Sequence, residues 1–319
     1  MLATAQPDPV VGASVDLGAT SVHLLVASVA SHRLQPLVDE SVFLGLGRAI
    51  AERGLLGRDA REALTATLVA YATTARRLGA DNLTFVGTEP IRRAADASVI
   101  VHEVGIATGA PLHVLGHEEE AYLTIIGVTE GRPAERETLV VDVGGGSSEF
   151  CVVDPTNRPR AVGLRLGSAG LTDRLVTHDP PTPTELGMMR DAALDMIGAA
   201  PDATPAEIVA VGGTASNLLR VVPAAMLDRV LTRARIDDAV AVLTAEPADD
   251  VAERYHVNPA RARLLPGGAA IMAAIIERYG VDRIRVSDAG IREGLILAVA
   301  HAGAAWRDRL PDLAHGWRG

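Results

Sequence analysis

The 319-residue sequence is 48 % hydrophobic and 22 % charged, enough to bury a sizeable core, and its length predicts two domains. A formal net charge of −10 argues against broad binding to nucleic acid or an anionic membrane, and the apolar runs are too short for a transmembrane helix. The single cysteine, Cys151, permits no internal disulfide, and Met1 to Pro9 lacks the basic and apolar regions of a secretory signal, so the cytoplasm is the expected location.

In chain order, Val11 to Val29 reads as a strand, a glycine-containing turn and a second strand, with Arg33 to Leu44 as a third. Arg58 to Leu78 has helical spacing, with Leu64, Leu68, Tyr71 and Leu78 on one side. Asn82 to Val86 then reads as a strand, Asp96 to Thr108 as a helix, Leu112 to Leu115 as a strand and His117 to Val128 as a helix. Gly, Pro and charge interrupt the pattern at Glu130 to Glu137, the expected linker. The opening then returns, with strands predicted at Thr138 to Val143, Ser148 to Val153 and Ala161 to Leu166. A helix is expected over Thr184 to Ile197, a strand over Ile208 to Val211 and a helix from Thr214. Leu264 to Tyr279 and Ile291 to His301 read as helices around a strand at Arg283 to Val286, and the polar tail from Trp306 to Gly319 predicts loose packing. Strands followed by alternating helices and strands indicate an α/β layer fold.

The repeat is sharpest in its turns. Asp16-Leu17-Gly18-Ala19-Thr20-Ser21 lies on Asp142-Val143-Gly144-Gly145-Gly146-Ser147, sharing D-x-G-x-x-S after an apolar strand. Such a turn offers backbone N–H groups and a hydroxyl to a phosphate, and its aspartate can hold a hydrated Mg²⁺. Either turn alone also suits an ordinary hairpin, but three glycines in a row cost chain entropy without adding packing. His117-Glu118-Glu119-Glu120 opens a helix, where acids complement the dipole, and one of the three is left as a candidate general base. Arg92 and Arg93 follow a strand, as a phosphate fork or as a solvated pair, and Gly212-Gly213-Thr214 opens a helix suited to an anion. The sequence holds no lysine, so any phosphate clamp here must use guanidinium forks. No histidine spacing points to zinc, and no Walker-type loop or nucleophile elbow occurs.

Together these residues resemble the exopolyphosphatase / guanosine pentaphosphate phosphohydrolase family of the actin–Hsp70–sugar-kinase superfamily, from Val11 to about Ala298. Asp142 to Glu149 carries the family's D-x-G-G-G-S-x-E, Gly116 to Ala121 is similar to its G-x-E-E-A segment, and Ile291-Arg292-Glu293-Gly294 to its closing R-E-G. The resemblance implies an α/β fold of two actin-like (ribonuclease H-like) domains with an interdomain cleft, at 1–130 and 131–300, with 301–319 packing back on the first. It implies Glu120 as the base that activates water. Asp142 and Glu149 would hold Mg²⁺, with Asp16 assisting, and Arg92 would neutralise a phosphate. Gly18, Thr20, Ser21, Gly144, Gly145, Gly146, Ser147, Ser148, Gly213 and Thr214 would bind phosphoryl oxygens. The implied activity is Mg²⁺-dependent release of orthophosphate from the end of inorganic polyphosphate, in a chain that pairs as a homodimer. Alternatives are hydrolysis of guanosine pentaphosphate, a weakly catalytic polyphosphate sensor, or a kinase or chaperone of the same superfamily. Four departures stand out: Ala19-Thr20 in the first turn, Pro90 before the arginines, Asp96 where asparagine is common, which would bring negative charge near the phosphates, and Tyr122 where arginine is frequent.

Overall fold

The computed structural model describes residues 10–30 and 32–317, so the reading of Met1–Pro9 lies outside the described residues. The chain forms two compact units, Met1–Pro133 with Ile291–Gly319 as unit 1, and Ala134–Gly290 as unit 2. In unit 1, β1 (Val10–Leu17), β2 (Ser21–Ala30) and β3 (Arg33–Phe43) form an antiparallel meander. Next, β4 (Asn82–Gly87) runs parallel to β1 and β5 (Leu112–Val114) parallel to β4, giving the order β3-β2-β1-β4-β5. Unit 2 repeats this plan. Its meander is β6 (Thr138–Val143), β7 (Ser148–Val153) and β8 (Arg160–Leu164), and β9 (Glu207–Val211) runs parallel to β6. The strand β10 (Val230–Thr232) lies antiparallel at the edge beside β11 (Arg283–Val286), which is parallel to β9.

Strand alternation decides which residues enter each core and which are left for chemistry. On β1, Ala13, Val15 and Leu17 join the core of unit 1 with Leu64, Leu68 and Tyr71 of the helix Arg58–Arg77 and Ile100 and Val104 of the helix Ala97–Thr108. The alternate residues Gly12, Ser14 and Asp16 turn to the opposite face, where the helix Ile291–Ala302 packs on β1; a Cβ on Gly12 would stand 2.8 Å from Ile296. On β6, Leu139, Val141 and Val143 enter the core of unit 2 with residues of the helices Pro183–Ile197, Gly212–Val221 and Leu265–Tyr279. Asp142 therefore stands on the other face, in the place that Asp16 holds in unit 1: Asp16 registers with Val86 on β4 and Asp142 with Val211 on β9.

Two expectations need correction. The helix Ile291–Ala302 belongs to unit 1, so the return crossing falls at Ile291 and not at residue 300, because its Leu295, Ile296 and Leu297 are buried within that unit. The tail is packed rather than loose: Trp306, Leu310 and Leu313 are buried, the helix Leu310–His315 lies against the helix His117–Thr129, and Trp317 N–H donates to Gly131 O at 2.8 Å. Several helices also went unrecognised, among them Leu46–Arg53, Glu89–Arg93, Ser168–Leu175 and Arg233–Ala245.

Candidate active site

In unit 2 the hairpin between β6 and β7 carries two acids at its mouth. Asp142 and Glu149 are direct cross-strand partners on the face turned away from the core. Between them Gly144 N–H donates to Ser147 O at 3.0 Å, closing a turn of three glycines and a serine. Asp142 is half-buried, and desolvation pushes its carboxyl up to about 6. The turn from β9 into the helix Gly212–Val221 brings Gly212 against it; Gly212 has φ +88°, and a Cβ there would stand 2.5 Å from Asp142 Oδ1, so only glycine fits. Ser148 is fully buried and its hydroxyl donates to Leu166 O at 2.5 Å, which ties the side chain of this candidate phosphate ligand to the sheet. Thr214 is also buried, its hydroxyl donating to Ser168 Oγ at 3.2 Å. The guanidinium of Arg261 lies directly against Gly213. Burial, then Arg220, lowers its pKa, so a cation already costly to hold sits at the N-terminus of that helix. Arg261 lies far along the chain from Gly213, and nothing in the spacing pointed to it.

In unit 1 the equivalent hairpin pairs Asp16 with His23, and Gly18 N–H donates to Ser21 O at 3.1 Å. Asp16 shares its surroundings with Arg292, which is largely buried, pairs with Asp39 and feels the charges of Glu293 and Asp16. Burial alone would lower the guanidinium pKa, yet these acids together raise it. Arg292 and Glu293 were read only as part of a motif; the alternation of β1, which aims Asp16 at their helix, gives them a place beside it.

The three glutamates of the helix His117–Thr129 separate cleanly. Glu118 is exposed. Glu119 Oε2 accepts from Gly116 N–H at 2.7 Å and from Arg307 at 2.9 Å; burial opposes its ionisation, but these bonds outweigh it and hold its carboxyl below the usual range. Glu120 is 6 % exposed and paired with Arg92, whose guanidinium also donates to Leu115 O and meets His117 at 3.1 Å. Arg92 is thus gathered onto Glu120, while Arg93 pairs with Glu89 at 2.6 Å. Asp96, expected to bring negative charge to the phosphates, is spent inside the fold. Burial opposes its ionisation, yet Leu56 N–H at 2.9 Å, Arg61 at 2.8 Å and Gly57 N–H at 3.2 Å leave it below the usual range. Among the described residues no helix is long and apolar enough to cross a membrane.

Opposed carboxylates suit a hard cation, glycine-turn amides suit an anion, and the buried Glu120 is a carboxylate fixed in place by Arg92. The chain is 30 % identical over 300 residues to "Exopolyphosphatase 1" of Mycobacterium tuberculosis, covering 89 % of this chain and 86 % of that protein. It is 24 % identical to "Guanosine-5'-triphosphate,3'-diphosphate pyrophosphatase" of Vibrio atlanticus, covering 90 % of this chain but 59 % of that protein. The crystal structure of the Aquifex aeolicus Ppx/GppA family member superposes with a TM-score of 0.80 at 26 % identity, over 93 % of this chain and 99 % of that one, which makes the two units actin-like lobes. Residues 25–302 match the model of the Ppx/GppA phosphatase family, and the chain belongs to that family.

Proposed function

We propose that this chain is an exopolyphosphatase, hydrolysing the terminal phosphoanhydride of inorganic polyphosphate and releasing orthophosphate. The observation that carries this reading is the pair Asp142 and Glu149, opposed across the hairpin that holds the triple-glycine turn. Like charges directly opposite on neighbouring strands repel, and a divalent cation reconciles them. An all-oxygen carboxylate pair fits Mg²⁺, which takes one or two carboxylates and completes its shell with phosphate and water. Asp142 and Glu149 would hold it, and when bound it supplies positive charge to phosphate oxygens. The amides of Gly145 and Gly146 hold the same oxygens and orient the terminal phosphorus. Glu120 positions water and takes its proton as the oxygen attacks phosphorus, and the bridging oxygen leaves with the shortened chain. Arg92 orients that carboxylate, and its remaining N–H donors neutralise a phosphate oxygen.

The relative named for exopolyphosphatase is 30 % identical to this chain and the one named for guanosine pentaphosphate chemistry 24 %, which favours polyphosphate. Phosphate release is measured from long-chain polyphosphate, guanosine pentaphosphate and ATP, with Mg²⁺ or with EDTA. The expected result is release from polyphosphate with Mg²⁺ and none with EDTA. Release from guanosine pentaphosphate alone transfers the assignment to that substrate, and binding of polyphosphate without turnover identifies a sensor.

A further inference from the structure

Both hairpin turns are held from behind in the same way. In unit 2 the chain leaving β8 starts the helix Ser168–Leu175, whose first amides bond the glycine turn: Ser168 N–H donates to Gly144 O at 3.0 Å, and Ala169 and Gly170 N–H donate to Gly145 O at 2.9 and 3.1 Å. In unit 1 the chain leaving β3 starts the helix Leu46–Arg53. There Gly47 N–H donates to Ala19 O at 2.8 Å, and Leu44 and Gly45 N–H donate to Thr20 O at 3.2 and 3.0 Å. A trans peptide is planar, with its C=O and N–H pointing in opposite directions. Tying the carbonyls of residues 144 and 145 to the helix therefore aims the N–H groups of Gly145 and Gly146 away from it. The same holds for Thr20 and Ser21 in unit 1. Two successive amides aimed one way make an anion-binding concavity.

A glycine makes each approach close enough. A Cβ on Gly167 would overlap the Gly145 carbonyl and lie 2.5 Å from Gly146 N, and one on Gly47 would stand 2.8 Å from Ala19 Cβ. Unit 2 adds a hydroxyl: Ser168 Oγ donates to Gly144 O at 3.3 Å and accepts from Thr214 Oγ1 at 3.2 Å, joining the glycine turn to the helix Gly212–Val221.

We propose that Gly47, Gly167 and Ser168 are positioning residues that hold the turn carbonyls from behind and so present the opposite amides to the terminal phosphates of the substrate. The proposal deepens the polyphosphatase reading and rests on it for the identity of the anion. No sequence signal marks these residues as functional, and none of them touches the substrate.

The test uses full-length Gly47→Ala, Gly167→Ala and Ser168→Ala, with Gly187→Ala as a control whose added methyl meets nothing within 4 Å. Two quantities are read well below the melting temperature. One is the KM and kcat for polyphosphate with Mg²⁺; the other is calorimetric binding of tripolyphosphate in a Glu120→Gln background. Loss of one hydrogen bond predicts a KM and Kd about three- to tenfold higher in Ser168→Ala, with kcat changed less than KM. The two glycine variants show a larger loss, and the control matches the parent. Should Gly167→Ala not fold, Ser168→Ala and Gly47→Ala decide. Folded variants with parental KM and Kd overturn the proposal while leaving the hydrolase reading intact. A parent without turnover whose tripolyphosphate binding is weakened by Ser168→Ala does the reverse. A parent that neither turns over nor binds overturns both.

Discussion

Glu118, Glu119 and Glu120 follow one another on the first turn of one helix, yet only Glu120 combines burial with a counterion from another element, Arg92. Replacing Glu120 with Gln should therefore lower kcat at least about a hundredfold while tripolyphosphate still binds, which calorimetry and phosphate release together check. Asp142 makes a different prediction. Its folded-state pKa, about 6, lies above the unfolded value of 3.8, so between these the folded form binds more protons than the unfolded one. The metal-free protein then loses stability as pH rises through about 6, where the carboxylate must ionise without full hydration. Asp142→Asn removes that loss, so thermal melts in EDTA should show the variant gaining on the parent between pH 3.8 and about 6 and keeping that gain at higher pH, and Mg²⁺ should raise the parent alone. The carboxylates and the glycine turn were legible in the sequence because they are contiguous. Arg261 was not: its place against Gly213 exists only once the helix Pro259–Ala262 has folded beside the helix Gly212–Val221. Asp96 was misread for a related reason, since its partner Arg61 lies on another helix.

Among elements, the strands and long helices announced themselves through apolar period. The short helices did not. Leu46–Arg53 and Ser168–Leu175 have eight residues each, and bonds to turn carbonyls account for their placement as much as apolar burial does. A pattern search for hydrophobic faces finds little in such a segment. The helix His117–Thr129 was found, but its first turn depends on a residue nearly two hundred positions away, Arg307, bonded to Glu119. Glu119→Ala should lower stability by about 1 kcal/mol at neutral pH, as loss of a helix cap does, with kcat little changed. The Glu119 carboxyl is held below its unfolded value, so its contribution is full above about pH 4.5 and lost as pH falls through the folded value. The difference between parent and variant should therefore close in acid, which denaturant titrations at pH 3 and pH 7 would show.

Over the whole molecule the two sheets repeat one topology, to which unit 2 adds the edge strand β10, and the repeated turns make that legible in the sequence. What stayed hidden was the ownership of the helix Ile291–Ala302, which only its packing onto β1 and the helix His117–Thr129 decides. Unit 2 is therefore one uninterrupted stretch of chain, whereas unit 1 is assembled from two separated ones. A fragment spanning residues 134–290 should melt cooperatively by itself. A fragment ending at residue 133 should stay expanded, with β1 and β2 uncovered on one side, until a peptide of residues 291–317 is supplied. Circular dichroism and size-exclusion chromatography of the fragments, alone and mixed, check both outcomes.

That discontinuity sets an order of events on the ribosome. Unit 2 emerges whole and can close its hydrophobic interior while unit 1 still lacks Leu295, Ile296 and Leu297. The first-made half of the nascent polypeptide is thus the last to mature, and a prematurely terminated message would release a chain whose uncovered sheet face promotes aggregation.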